Sequence, residues 1–175
     1  MSAHAARPNV DRAPPSRIDP ARLAAANINP RTGLATDYLN HFNEAIMMLE
    51  MVPSMPECVE DLMQWRVMSY REHFLSTHQK HRELVLAAYE TADPHARFLL
   101  DECTDMMDNI LTAARDALYL HLSHAVAGAL SQEAATQLRP LVARAGAIIN
   151  GLMHVGNEET AAAVPQATVD ALLER

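Results

Sequence analysis

The sequence predicts an all-α protein: a four-helix-like bundle with a short inserted helix, an extended N-terminal arm and a polar C-terminal tail. Three observations predict it. The apolar fraction, 49% of the chain, is built largely from Ala, Leu and Met, with only five Gly and few β-branched runs, a composition that favours helix over strand. Apolar residues recur three and four positions apart over long stretches, which is the spacing of one helical face. Asp-Pro and Ser-x-x-Glu sequences punctuate those stretches, and both start helices by satisfying or removing orphan backbone N–H groups. A chain of 175 residues holds one ordinary core. Residues 36–155 are expected to form that bundle, with 1–35 as a flexible basic arm and 156–175 as a tail.

Residues 1–16 are rich in Pro, Arg and Ala without apolar periodicity, which reads as disorder. Asp19-Pro20 then opens a short helix over 20–27, before the turn Asn29-Pro30-Arg31-Thr32-Gly33. The first long helix runs from 36 to 52 and stops at Pro53, with Leu39, Phe42, Ile46 and Leu49 as its buried stripe. Met47, Met48 and Met51 lie on its other side, and such a Met-rich face suits adaptable contacts, so these three are the expected partner-binding residues. Ser54-Met55-Pro56-Glu57 and Ser69-Tyr70-Arg71-Glu72 match the capping box, marking a short helix over 56–66 and a long one over 69–92. Asp93-Pro94 starts the longest, 94–127, with a seam of Leu99, Cys103, Met106, Ile110, Ala113 and Ala117. Ser131 is expected to cap a last helix over 131–153, kinked by Pro140. Val169, Leu172 and Leu173 give the tail one short amphipathic segment over 166–175.

Charge and spacing exclude several classes. The net charge is −8, against binding to nucleic acid or anionic membranes, both of which require a cationic surface. The balance is uneven, however, with +3 in residues 1–35 and −11 in the remainder. Five scattered glycines supply neither a dinucleotide-binding turn nor a phosphate loop. Cys58 and Cys103 form no C-x-x-C pair, and no G-x-S-x-G elbow is present. No apolar run reaches the length of a membrane span, and no secretory h-region begins the chain. A cytoplasmic protein is expected, and 13 Arg against the single Lys80 suggest a GC-rich, bacterial source.

Nine histidines are the unusual feature. Helical phase places His78 and His81 in the seam of the 69–92 helix, with Phe74, Val85, Ala88 and Ala92, and places His121 and His124 in line with the next seam. About 20 Å separates the two pairs along a helical hairpin, so they cannot share one ion. His78 and His81 with Asp105 and His154 form the candidate metal set, imidazole and carboxylate being ligands for zinc or iron. No E-x-x-H motif of di-iron bundles occurs. His73, or His78 beside Lys80, is the candidate for histidine phosphotransfer.

The function expected from these observations is non-enzymatic: an adaptor or regulatory protein, self-associating or bound to a protein partner, acting through the Met-rich face and the basic arm without a cofactor. A bundle holding a metal ion or haem is the alternative, and a phosphotransfer protein the third reading.

Overall fold

A computed structural model describes residues 18–77, 80–120 and 122–153, and among them the chain is helical without a β-strand. Helix α1 (Pro20–Ala25) starts as expected, with the Asp19 carboxylate accepting from Ala21 N at 3.0 Å and Pro20 in the first turn. The Asn29–Leu34 turn carries a single bridge between Ile28 and Ala35. Residues 18–35 belong to the packed body, since Leu23, Ala26, Ile28, Leu34 and Ala35 are buried in its core. Gly33 makes that possible: it has φ +75°, and a Cβ there would stand 2.9 Å from Ala92 Cα, too close for any other residue.

A 3-10 turn (Thr36–Leu39) leads into α2 (Asn40–Met51). Its stripe of Leu39, Phe42, Ile46 and Leu49 is buried, as the periodicity requires; each such side chain contributes about 1.5–3 kcal/mol of burial. Helix α3 (Cys58–Gln64) follows, but the Ser54 capping box does not form. Ser54 instead continues the winding of α2, its N–H and hydroxyl both donating to Met51 O. Ser69 does form its box, accepting from Glu72 N while the Glu72 carboxylate accepts from Ser69 N at 2.8 Å, and so starts α4 (Tyr70–Ser76).

The helix expected over 69–92 is two helices, α4 and α5 (Arg82–Glu90). Thr77 is extended, and the Ser76 and Thr77 hydroxyls donate to the His73 and Phe74 carbonyls, side-chain bonds that compete with helix continuation. The expected seam residues Phe74, Val85, Ala88 and Ala92 are nevertheless all buried.

Helix α6 (Pro94–Leu118) opens on Asp93, whose carboxylate accepts from His95 and Ala96 N. It ends earlier than the expected 127, and α7 (His124–Ile149) starts from Ser123 instead of Ser131. Ser123 takes the extended backbone of a helix N-cap, whereas Ser131 is fully buried inside α7. Pro140 lies within α7 as an exposed residue and removes the backbone bond to the Thr136 carbonyl.

Helices α6 and α7 form the most extensive helix pair, with α2 against α7 and α3 against α6. The buried face of α6 is Ala96, Leu100, Cys103, Thr104, Met107, Leu111, Ala114 and Leu118. That corrects the seam expected from the sequence, of which only Cys103 is buried. Two adjacent apolar stripes run along α6, and the one carrying Leu100, Met107, Leu111 and Leu118 went inward.

Candidate functional site

Two members of the expected metal set, His81 and Asp105, fall among the described residues. His81 is the exposed N-cap residue of α5 and Asp105 is exposed on α6, while His78 and His154 lie outside the described residues. No group of three or more His, Cys, Asp or Glu side chains among the described residues is placed to hold a metal ion. Of the expected partner residues, Met47 is 55% exposed, whereas Met48 is half-buried against the core and Met51 is half-buried.

Two other histidines are buried together, and neither was singled out as a core residue by its sequence neighbours. His41 on α2 and His73 on α4 have ring centroids 6.0 Å apart. His41 stacks on Trp65 at 4.7 Å, and the Trp65 indole donates to the His41 carbonyl at 3.2 Å. Tyr38 packs edge-on against His73 and Tyr70, and its hydroxyl donates to Met68 O at 2.8 Å. The Tyr70 hydroxyl accepts from Ala35 N at 2.8 Å. Phe42 and Phe74 close the layer. Trp65 and the capping box at Ser69 thus fix the two histidines from opposite ends.

Electrostatics keep this layer neutral. Burial, and then the neighbouring His73, lowers the His41 pKa to about 4. Burial lowers His73 too, with Glu44 and Asp37 opposing. His41 Nε2 and both ring nitrogens of His73 are buried without a well-formed hydrogen bond. On the α6 side, burial and then Asp105 raise Asp108 to about 7, and its Oδ1 has no hydrogen-bond partner either. Tyr38 is raised by burial and by Asp108, which marks the carboxyl as a neighbour of the layer. Buried ring nitrogens cannot receive a phosphoryl group from solvent, so His73 does not fit the exposed histidine that phosphotransfer requires.

A second feature lies on the outer face of the α6–α7 hairpin. Ile110, Ala113 and Ala114 of α6 and Leu130 and Ala134 of α7 line an open groove of about 420 Å³, edged by Asn109, Glu133 and Gln137. Met106 continues it, 39% exposed, and Leu99 and Leu141 lie half-buried on the same side. Cys103 and Leu141 meet where the thiol donates to the Leu141 carbonyl at 3.2 Å, which fixes the antiparallel register of the two helices. Burial pushes the Cys103 thiol up, and the nearby Arg144 guanidinium offsets part of that. This groove is the stripe that the sequence pointed to as the α6 seam. The periodicity located an apolar face correctly but not its partner.

Compared with models of known protein families, with curated proteins and with solved structures, the chain gives no match.

Proposed function

We propose that this chain is a non-enzymatic helical protein that works by protein–protein contact, and that the α6–α7 groove is its docking surface. One observation carries the reading: an apolar groove in which Ile110, Ala113 and Leu130 stay partly or fully exposed over the buried Ala114 and Ala134, with Met106, Leu99 and Leu141 extending the stripe. Contiguous exposed apolar surface on a folded domain marks a binding site more often than scattered single residues do. The proposed contact therefore moves from the face carrying Met47, Met48 and Met51, where Met48 is spent on the core, to the hairpin. The buried histidine layer supports a structural role, because His41 Nε2 and both ring nitrogens of His73 are buried.

Site-specific photo-cross-linking tests the surface. A photoreactive phenylalanine at Ala113, in the groove, is expected to give a discrete covalent protein adduct. The same group at the exposed Thr136, on the other side of α7, is expected to give none. Equal labelling from both positions, or none from Ala113, refutes the groove as a docking surface.

A further inference from the structure

We infer that the groove is occupied by a second copy of this chain, two α6–α7 hairpins closing into a four-helix bundle; this rests on the docking reading above. The register set by Cys103 and Leu141 places Glu102 of α6 within a turn of the level of Arg144 of α7, and the action of Arg144 on the Cys103 thiol puts its charge at that same end. Neither Glu102 nor Arg144 has an ion-pair partner among the described residues. A two-fold axis parallel to the helices lays α6 of one copy antiparallel on α7 of the other, at unchanged level. Glu102 of each copy then meets Arg144 of the other, twice per dimer, and the neutral amides Asn109 and Gln137 meet in the same way half a groove further on.

Size and shape agree. From Leu99 to Ala117 the stripe is about 27 Å long at 1.5 Å per residue, and two helices are about 20 Å wide. That footprint, roughly 500 Å² before side-chain relief, approaches the ~800 Å² per partner of a stable interface. Ala113, Ala114 and Ala134 in its middle let helix axes approach within the 8–10 Å of bundle packing. The ends of the chain itself are poorer occupants. Residues 154–175 hold Glu158, Glu159, Asp170 and Glu174 against Arg175, the wrong sign for an α6 rim of Glu102 and Asp105. Residues 1–17 have the right sign, but Val10 is their one large aliphatic residue besides Met1, so they have no apolar face to bury.

Mass in solution, read by light scattering and sedimentation equilibrium from about 5 to 200 µM, tests the inference on the full chain. The wild type is expected at twice the 19.3 kDa chain mass. Ala113→Glu is expected at one chain mass with unchanged helical circular dichroism, since Ala113 faces solvent within one copy. Glu102→Arg and Arg144→Glu alone are each expected to weaken the dimer about tenfold, and the double swap to restore it to within about threefold. A dimer that survives Ala113→Glu, or singles that the double swap does not rescue, overturns the arrangement. A wild-type monomer throughout also overturns it, and the Ala113 cross-link then separates the readings. An adduct to residues 164–173 of the same chain, or to a different protein, refutes the second copy while leaving the groove as a docking surface. No adduct at all removes both.

Discussion

The buried histidine layer and the α6–α7 groove are built from similar apolar material and have opposite fates. In the layer, α2, α3 and α4 pack aromatic rings around His41 and His73 until His41 Nε2 and both His73 nitrogens are buried. In the groove, one helix pair presents Ile110, Ala113 and Leu130, and no third helix of the described residues lines it. What separates them is the number of covering elements, not their hydrophobicity. The layer tolerates unpaired polar atoms because desolvation holds the imidazoles neutral. The groove keeps its polar side chains, Asn109, Glu133 and Gln137, exposed at the edge and leaves its apolar area for a partner.

If that contrast holds, the largest effect belongs to the layer. Phe42→Ala removes a fully buried ring that touches Tyr38, His41 and Trp65, and is expected to cost about 3–5 kcal/mol in urea unfolding. A loss below about 1 kcal/mol would mean that the layer is loosely packed.

Next comes pH. His41 has a folded pKa near 4 against 6.5 unfolded. The unfolded chain therefore takes the proton first, and the His41 contribution is present above pH 6.5 and lost as pH falls toward 4. His73 acts with the same sign. Asp108 acts with the opposite sign: its folded pKa is raised from 3.8 to about 7, so its contribution is present at low pH and lost as pH rises toward 7. Between about pH 4 and 6.5 the His41 and Asp108 contributions therefore change in opposite directions and largely offset each other in the wild type. His41→Phe should expose the Asp108 slope, with stability falling as pH rises from 4 to 7, and Asp108→Asn should expose the histidine slope, with stability rising over pH 4 to 6.5, each by an amount on the order of 2 kcal/mol. Parallel profiles for wild type and Asp108→Asn would show that Asp108 ionises freely.

The same contrast explains what could be read from the sequence. The helical class, the α2 stripe, Asp19, Asp93 and the Ser69 capping box were all legible, because each depends on local spacing. The inward face of α6 was not, because both of its stripes are apolar and the packing of α3 and α7 decides between them. His41 and His73 escaped for a related reason. His41 sits beside Phe42 at the flank of a helix apolar nearly all round, and its partners Trp65 and His73 arrive from 24 and 32 residues away. Spacing within one helix carries no trace of them. His78 and His81 drew attention instead through a continuous 69–92 helix, and the extended Thr77 removes that premise.

A smaller effect probes how α4 is held under the layer. Ser69→Ala removes the hydroxyl that accepts from Glu72 N and is expected to cost about 1 kcal/mol. Glu72→Gln should cost less, since the amide oxygen can still accept from Ser69 N. Equal losses for the two would assign the effect to the Glu72 charge at the helix start rather than to the box.

The smallest expected effect is the most discriminating between the two surfaces. Met47 is more than half exposed on α2, so Met47→Glu should change stability by less than about 0.5 kcal/mol and leave the mass in solution unchanged. Met48→Glu would be a poorer probe, because Met48 packs against the core and a loss of mass could follow from a loss of fold. Should Met47→Glu halve the mass while Ala113→Glu does not, the Met-rich face of α2 is the interface, and the hairpin groove is surface exposed without a partner. The opposite result would make α2 an inner helix whose exposed methionine is incidental, and would assign association to α6 and α7.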